Sequence, residues 1–326
     1  RAMEVPVLLR VMSIVMIVVG HFQLFKDWAF FGETAVLFVV SGLSLARFQF
    51  QAINERGNAS TLVKSVATIA VPTVLYTLLT QVLFDRFHWQ SVLMISNWFA
   101  PNDIGYFTYW YVEVLLQMIV IIGLVLSFER VRQIILSNPF RYLLMASCLL
   151  AVADLLISAY VFDASALNNR VPQHYLAIMV LGMAIHYADS TRRKWMASAV
   201  AVIVVGGRDL LEFYGHGLPA VGMSEYIDVA VPAVLAVIWI RSVPVPGLIA
   251  RGLAAIAAST LYIYLTHFQF QSVARRLNDS PVLAVVIAIV GGIVVGYAWN
   301  KFVRIVLMRF NGAEKKRRAQ KIERVA

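Results

Sequence analysis

The chain reads as long apolar stretches separated by short polar breaks. Ten stretches lie near residues 5–25, 29–47, 62–84, 108–128, 140–162, 171–188, 195–213, 226–241, 248–271 and 281–308. Most approach about 20 residues, the length a helix needs to cross a ~30 Å hydrocarbon layer. They are continuous runs rather than period-two alternations, which predicts helices and argues against a β-barrel. No long polar linker and no internal repeat interrupts the series. The expected fold class is therefore an all-α integral membrane protein, with one membrane domain over residues 1–310. The polar segment 48–60 reads as a loop, with a short interfacial helix as the alternative. Pro72, Pro172 and Pro232 fall near expected span starts and read as residues of a first turn or as mild kinks.

Composition agrees with the pattern. The 326 residues are 60% hydrophobic and 14% charged, against about 25% charged in a soluble domain. That balance excludes a soluble enzyme, a disordered chain and a nucleic-acid-binding domain. The net charge of +10 belongs instead to topology. With the N-terminus cytoplasmic, 21 of the 28 Lys and Arg fall on the inner side, six on the outer side, and Arg10 stays within a span. Basic residues collect on the cytoplasmic side, so both termini are expected there. Residues 311–326 form a basic tail with Lys315, Lys316, Arg317 and Arg318, suited to lie against anionic lipid. Cys148 is the sole cysteine, so no intrachain disulfide is available. The first span holds Arg10 and lacks a small-residue cleavage site, so it reads as a true span and not a signal peptide. The chain opens on Arg1 instead of methionine, as a segment of a longer polypeptide would.

Ionisable groups inside spans are costly and are functional candidates by default. Arg10 and His21 share the first span, eleven residues apart. At ~100° per residue they face one side of the helix, separated by ~16 Å along its axis. One reading is a snorkelling arginine and an interfacial histidine that share a face by coincidence. The other is a division of labour. A guanidinium forks onto phosphate oxygens, and an imidazole suits general-base work near neutral pH. An extended donor with a phosphate end and a reactive end fits the gap, and acyl coenzyme A has that shape.

The pattern is similar to a known family. Arg10 and His21, in LLRVMSIVMIVVGHF, resemble the signature of the acyltransferase-3 family of membrane acyltransferases. The second span, with Gly32, Phe38, Ser41 and Gly42, resembles that family's Gly–Phe–Phe–Ser–Gly-rich helix. YWYVEVLLQ resembles its fourth helix, and STLYIYLTHFQF, with Ser259, Tyr262 and His267, resembles a late element. The resemblance covers residues 5–310 and agrees with ten spans and a cytoplasmic N-terminus. It implies transfer of an acyl group, typically from acetyl-CoA, to a hydroxyl of an extracytoplasmic glycan or related acceptor. It also implies a bacterial cytoplasmic membrane. On this analogy Arg10 holds the donor and His21 deprotonates the acceptor. Ser41 and Lys64 join the expected donor site. Lys64 stands where the family often has an arginine-rich stretch, and a lysine lacks the bidentate fork.

Other polar groups fall at the expected outer ends of spans: Glu33, Trp110, Glu113, Arg170, His174, Arg208, Asp209, Glu212, Glu225, Asp228 and His267. Interfacial ends carry polar groups in any case. Glu113 and Glu33 stand out as groups to orient His21 or hold an acceptor hydroxyl, with a stabilising pair as the alternative for Glu113. His267, Tyr262 and Trp110 are acceptor-side or supporting candidates, with a hydrogen-bonded packing role as the alternative for His267 and a core or interfacial-belt role for Tyr262, Tyr264 and Trp110. Asp154, mid-span, is expected to form a structural pair, with an arginine as the partner, and the alternatives are a protonated carboxyl or a place in a proton path. The six histidines form no metal-binding pair at short spacing, and no phosphate-binding glycine loop or nucleophile elbow is present. The donor that the resemblance implies is acyl-CoA or an acyl-carrier thioester, and no metal is expected. The partners are membrane lipid and a hydroxyl acceptor. The competing function is a transporter or exporter of a small metabolite or lipid-linked sugar, for which Arg10, Asp154 and His21 would line a path. A passive scaffold leaves the cost of Arg10 and His21 unexplained.

Overall fold

The computed structural model describes residues 1–22, 24, 32–85, 87–99, 109–160, 170–207, 226–277 and 280–323, with side chains for all of these except 159–160, 226–228 and 306–323. Of the charged outer residues expected from the sequence, Lys26, Arg86, Arg208, Asp209, Glu212 and Glu225 lie outside the described residues.

Strand β1 (Ala2–Glu4) leads into α1 (Val5–His21). Helix α2 (Glu33–Leu45) passes through a π-helical turn (Ala46–Phe50) into α3 (Gln51–Arg56). Then come α4 (Thr61–Leu83), the short α5 (Trp89–Val92) and α6 (Ser96–Phe99), α7 (Trp110–Ser127), α8 (Glu129–Ser137) and α9 (Pro139–Tyr160). Next are α10 (Gln173–His186) and α11 (Thr191–Ala201), which ends in a second π turn (Val202–Gly206). The chain closes with α12 (Tyr226–Trp239), β2 (Ser242–Pro244), α13 (Gly247–Ala258), α14 (Thr260–Leu277) and α15 (Pro281–Glu323).

Among the described residues, helix occupies part of each expected span, but five helical stretches rather than ten are long and apolar enough to cross a membrane by themselves: 33–56, 61–83, 110–127, 139–158 and 281–305. The α13–α14 pair passes the same test taken together, and α1 is apolar but shorter. The protein is an all-α membrane protein.

Four local expectations change. The segment 48–60 is not a plain loop, because α2 carries on as helix to Arg56. Gln51 donates to Glu55 one turn later at 2.9 Å, and Gly57 ends the helix at φ 66°, a conformation that suits glycine. The expected span 248–271 is two helices meeting at 79°. At that break the Thr260 hydroxyl donates to the carbonyl of Ala257 at 2.9 Å, occupying an acceptor freed by the bend. Pro72 and Pro232 sit inside α4 and α12 rather than in their first turns, while Pro172 caps α10 as expected. Finally, α15 runs without a break from the last span into the basic tail as far as Glu323.

Contacts sort the two ends of the bundle. At one end β1 pairs antiparallel with β2, and Glu4 accepts from the Arg47 guanidinium, with one N–O distance of 3.1 Å. At the other end His21 meets His267, Asn97 meets the Arg170 carbonyl, and Gln269 meets Tyr109.

Between the ends, glycines set how closely helices approach. A β-carbon on Gly42 of α2 would lie 1.9 Å from the Met179 carbonyl oxygen of α10. A β-carbon on Gly182 would lie 2.1 Å from the Val39 carbonyl oxygen of α2. Apolar burial does not drive helix association in lipid, so close backbone approach through small residues supplies the attraction. The family-like Gly42 is thus a packing residue, and its neighbour Ser41 is free to face elsewhere.

Either Gly42→Ala or Gly182→Ala should destabilise the folded protein by at least about 1–3 kcal/mol, the usual cost of overpacking. Thermal unfolding in detergent measures this. Gly252→Ala in α13, where nothing lies within 4 Å of the added carbon, should be neutral or slightly stabilising.

Candidate functional site

A cavity of about 350 Å³ lies among α1, α2, α4, α7, α10, α13 and α14. Its polar lining comprises Arg10, Ser41, Ser44, Gln49, Ser65, Tyr111, Thr260 and Tyr264. Apolar side chains such as Ile14, Leu37, Leu115, Ile119 and Leu261 fill much of the rest. A mainly apolar wall with a few polar groups is what a binding site for a small molecule requires. The π turn after α2 brings Phe48 and Gln49 to the wall, and the bend at Ser259 brings Ala257 and Leu261 there.

Arg10 reaches the cavity because it and Ile14 are four residues apart on one face of α1. Its guanidinium donates to the Ser44 hydroxyl at 3.1 Å, and Ser44 donates to the Val40 carbonyl at 2.8 Å. Among the described residues no carboxylate forms an ion pair with Arg10. A guanidinium has five N–H donors, so the one on Ser44 leaves capacity for an anionic ligand.

From the middle of the cavity a chain of hydrogen bonds leads to the histidines. The Ser41 hydroxyl lies 3.4 Å from that of Tyr111. The Tyr111 backbone N–H donates to the Tyr264 hydroxyl at 3.2 Å. One turn further along α14, His267 Nδ1 lies 2.6 Å from the Tyr264 carbonyl oxygen. His267 Nε2 lies 2.9 Å from His21 Nδ1. His267 is fully buried, whereas His21 is exposed at the end of α1. The two ring centroids are 4.9 Å apart with planes at 10°. That separation exceeds the N–N distance by nearly two ring radii, so the rings meet edge to edge and the bond runs close to their planes. Phe268 packs against both rings and holds them in this relation.

The remaining sequence candidates fall elsewhere. Glu113 does not orient His21. It accepts from the Ser96 hydroxyl at 2.7 and 2.8 Å and from the Asn97 backbone N–H at 3.2 Å. One turn along α7, Gln117 donates to the Met94 carbonyl at 2.7 Å. Together they bind the segment around α6 to α7. Asp154 pairs with His174 at 2.6 Å. Trp110 packs on Tyr175 and under the Arg170 guanidinium. Tyr262 packs on Gly296 of α15, outside the cavity lining. Lys64 is exposed, and its neighbour Ser65 lines the cavity in its place. Glu33 opens α2 at the same end of the bundle as His21. Ser44, Tyr111 and Thr260 take no part in the reading of the sequence, and Tyr264 reads there only as a core or interfacial aromatic. Two carried a signal in their spacing: Ser44 follows Ser41 by three residues, and Tyr264 precedes His267 by three.

An acyltransferase-3 family model, described as an acyltransferase domain, matches residues 7–300. Searches of curated proteins and of solved structures give no match. The matched stretch takes in the cavity, Arg10 and both histidines of the pair. The chain belongs to the acyltransferase-3 family and is a membrane acyltransferase.

Proposed function

We propose that the protein moves an acyl group, with acetyl as the expected case, from a cytoplasmic acyl-CoA to a hydroxyl of an extracytoplasmic glycan or related acceptor. The observation that carries this reading is the joining of two sites on one helix. Arg10 lines the cavity at one end of α1, and His21 ends α1 one hydrogen bond from His267, which itself follows the cavity residue Tyr264 by a single turn.

The chemistry follows from that arrangement. Donor phosphates meet Arg10, with Gln49 and Ser65 as neutral hydrogen-bond partners nearby. The donor arm runs past Ile14, Leu115 and Leu261, which exclude water. The thioester lies toward Tyr111 and Tyr264. An acceptor hydroxyl from the outer side loses its proton to His21 as its oxygen attacks the thioester carbonyl carbon. The tetrahedral adduct collapses with cleavage of the C–S bond. The thiolate leaves and takes the proton from His21. Because donor and acceptor arrive from opposite ends, direct transfer in a ternary complex needs no acyl-enzyme. The charge pattern supports the sidedness, with the Arg10 end of the bundle inside and the His21 end outside. It supports cytoplasmic termini and, with the family resemblance, a bacterial cytoplasmic membrane.

Acetyl-CoA binding to detergent-purified protein tests the donor assignment. Arg10→Ala should weaken binding about 10- to 100-fold, the value of one or two charge-assisted hydrogen bonds. Arg10→Lys should recover only part of it. No binding of acetyl-CoA by well-folded wild type, or equal binding by Arg10→Ala, would overturn the donor site.

His21→Ala should leave that affinity within about twofold and lower kcat by about 10²–10⁴, the usual contribution of a general base. Release of CoA from acetyl-CoA in the presence of extracted cell-surface glycan is the measurement. Retained turnover in His21→Ala would rule out the histidine as the base.

A further inference from the structure

We infer that His267 is a positioning residue that fixes the tautomer of His21 and so makes His21 Nε2 the basic atom. This rests on the reading of His21 as general base, and it adds a role that the family relationship does not supply for this chain's His267.

The argument runs through hydrogen-bond polarity. A backbone carbonyl oxygen only accepts. The 2.6 Å contact to the Tyr264 carbonyl therefore puts a proton on His267 Nδ1. In the neutral ring this leaves the lone pair on Nε2. That lone pair faces His21 Nδ1 at 2.9 Å, so His21 donates and His267 accepts. The edge-to-edge rings, 10° from parallel, align the bond for this exchange. His21 then carries its proton on Nδ1, and its own lone pair resides on Nε2. The two nitrogens of an imidazole diverge, so Nε2 points away from His267. The exposed ring of His21 is thereby presented with a free acceptor, while the fully buried His267 stays out of contact with substrate. Proton balance closes. The acceptor O–H proton moves to His21 Nε2, the His21 Nδ1–H stays on its bond to His267, and the proton leaves Nε2 with the departing thiolate.

Several features make this a built arrangement and not a chance contact. The Tyr264 carbonyl is one turn from His267 on the same helix, so the first bond is set by helix geometry alone. Tyr264 is itself tied to the Tyr111 backbone at 3.2 Å, which secures the turn against α7. Phe268 packs against His21 with centroids 4.9 Å apart, and Phe22 packs near the buried His267.

Three variants separate this role from a packing role. His267→Phe keeps a planar ring and removes the acceptor. His267→Gln returns an oxygen acceptor within reach of His21 Nδ1. His267→Met, unbranched like Gln but with only a weak acceptor, replaces the phenylalanine variant if that one does not fold. The direct readout is nitrogen NMR of ¹⁵N-histidine-labelled protein in lipid nanodiscs. The chain has six histidines, and the His21 signals are the ones lost in His21→Ala. Wild type and His267→Gln should show His21 protonated on Nδ1. His267→Phe should shift His21 toward the Nε2-protonated form. In turnover of acetyl-CoA with extracted glycan, His267→Phe should lower kcat at least about tenfold and no further than His21→Ala, whose loss is about 10²–10⁴. Acetyl-CoA affinity should stay unchanged. His267→Gln should restore most of the rate, and His267→Phe should cost nothing more in a His21→Ala background, because the two act as a unit.

Wild-type His21 protonated on Nε2 would overturn the inference, as would wild-type kcat in folded His267→Phe or a further loss in the double variant. Failure of the underlying reading looks different, since His21→Ala alone would then keep its turnover whatever tautomer the wild type shows.

Discussion

The Met179 carbonyl oxygen of α10 occupies the space that a β-carbon on residue 42 would need, and the Val39 carbonyl of α2 does the same opposite Gly182. The wall of the cavity depends on this reciprocal backbone contact. It holds α2 against α10 on one face and leaves Ser41 and Ser44 to face the cavity on another. Ser44 gives Arg10 a neutral anchor, and Ser41 meets Tyr111. Had α2 and α10 been separated by the width of a side chain, these hydroxyls would have shifted relative to α1 and α7, and the cavity wall with them. In lipid, where apolar surfaces gain little from contact with one another, such backbone approach is a main source of specificity.

The site at the other end depends on a bend. A straight helix from Gly247 to Leu277 would carry one face along its whole length. The 79° break gives α13 and α14 different faces to present. Ala257, Ala258, Thr260, Leu261 and Tyr264 then line the cavity from both sides of the break. The next turn of α14 delivers His267 to the end of α1. Thr260 makes this affordable inside an apolar environment, since its hydroxyl covers carbonyls that the bend uncovers. The break thus connects the cavity and the histidine pair through a single helical turn.

These dependencies show what the sequence could and could not display. Continuous apolar runs announce membrane helices without any knowledge of partners, because the requirement is met within each segment. Arg10 and His21 were legible for the same reason: they are ionisable groups in an apolar run, and eleven residues on one helix fix their common face. Their partners were not. Ser44, Tyr111 and Tyr264 are ordinary residues in apolar helices, and what distinguishes them is a crossing geometry that periodicity does not encode. Glu113 shows the converse. Its charge drew notice, but its partners Ser96 and Asn97 sit on a short turn with no apolar signature. The break at Ser259 was hidden because Ala, Ser and Thr fit either a straight or a bent path. Likewise 48–60 read as a loop from its polarity, although a polar helix emerging from the membrane carries the same composition.

The choice of a histidine behind His21, rather than a carboxylate, follows from where the pair lies. A carboxylate at residue 267 would be a fully buried charge, costly to hold without cationic and hydrogen-bonding partners. Glu113 indicates how much support such a group needs: a hydroxyl bonded to both of its oxygens and a backbone N–H besides. An imidazole meets the same task neutrally. It takes its polarity from the Tyr264 carbonyl, whose orientation the helix supplies, and passes it to His21. The carbonyl dipole thereby acts at a distance of two rings, without placing a charge in the membrane interior. A weaker partner than a carboxylate stabilises the protonated His21 less, and that has a use here. In the proposed reaction the proton taken from the acceptor is given up again to the departing thiolate in the same turnover, so the base must release what it gains. A neutral dyad at the exposed end of α1 meets both demands of the proposed reaction, and that proposal leaves the donor's phosphates to the guanidinium of Arg10 in the cavity.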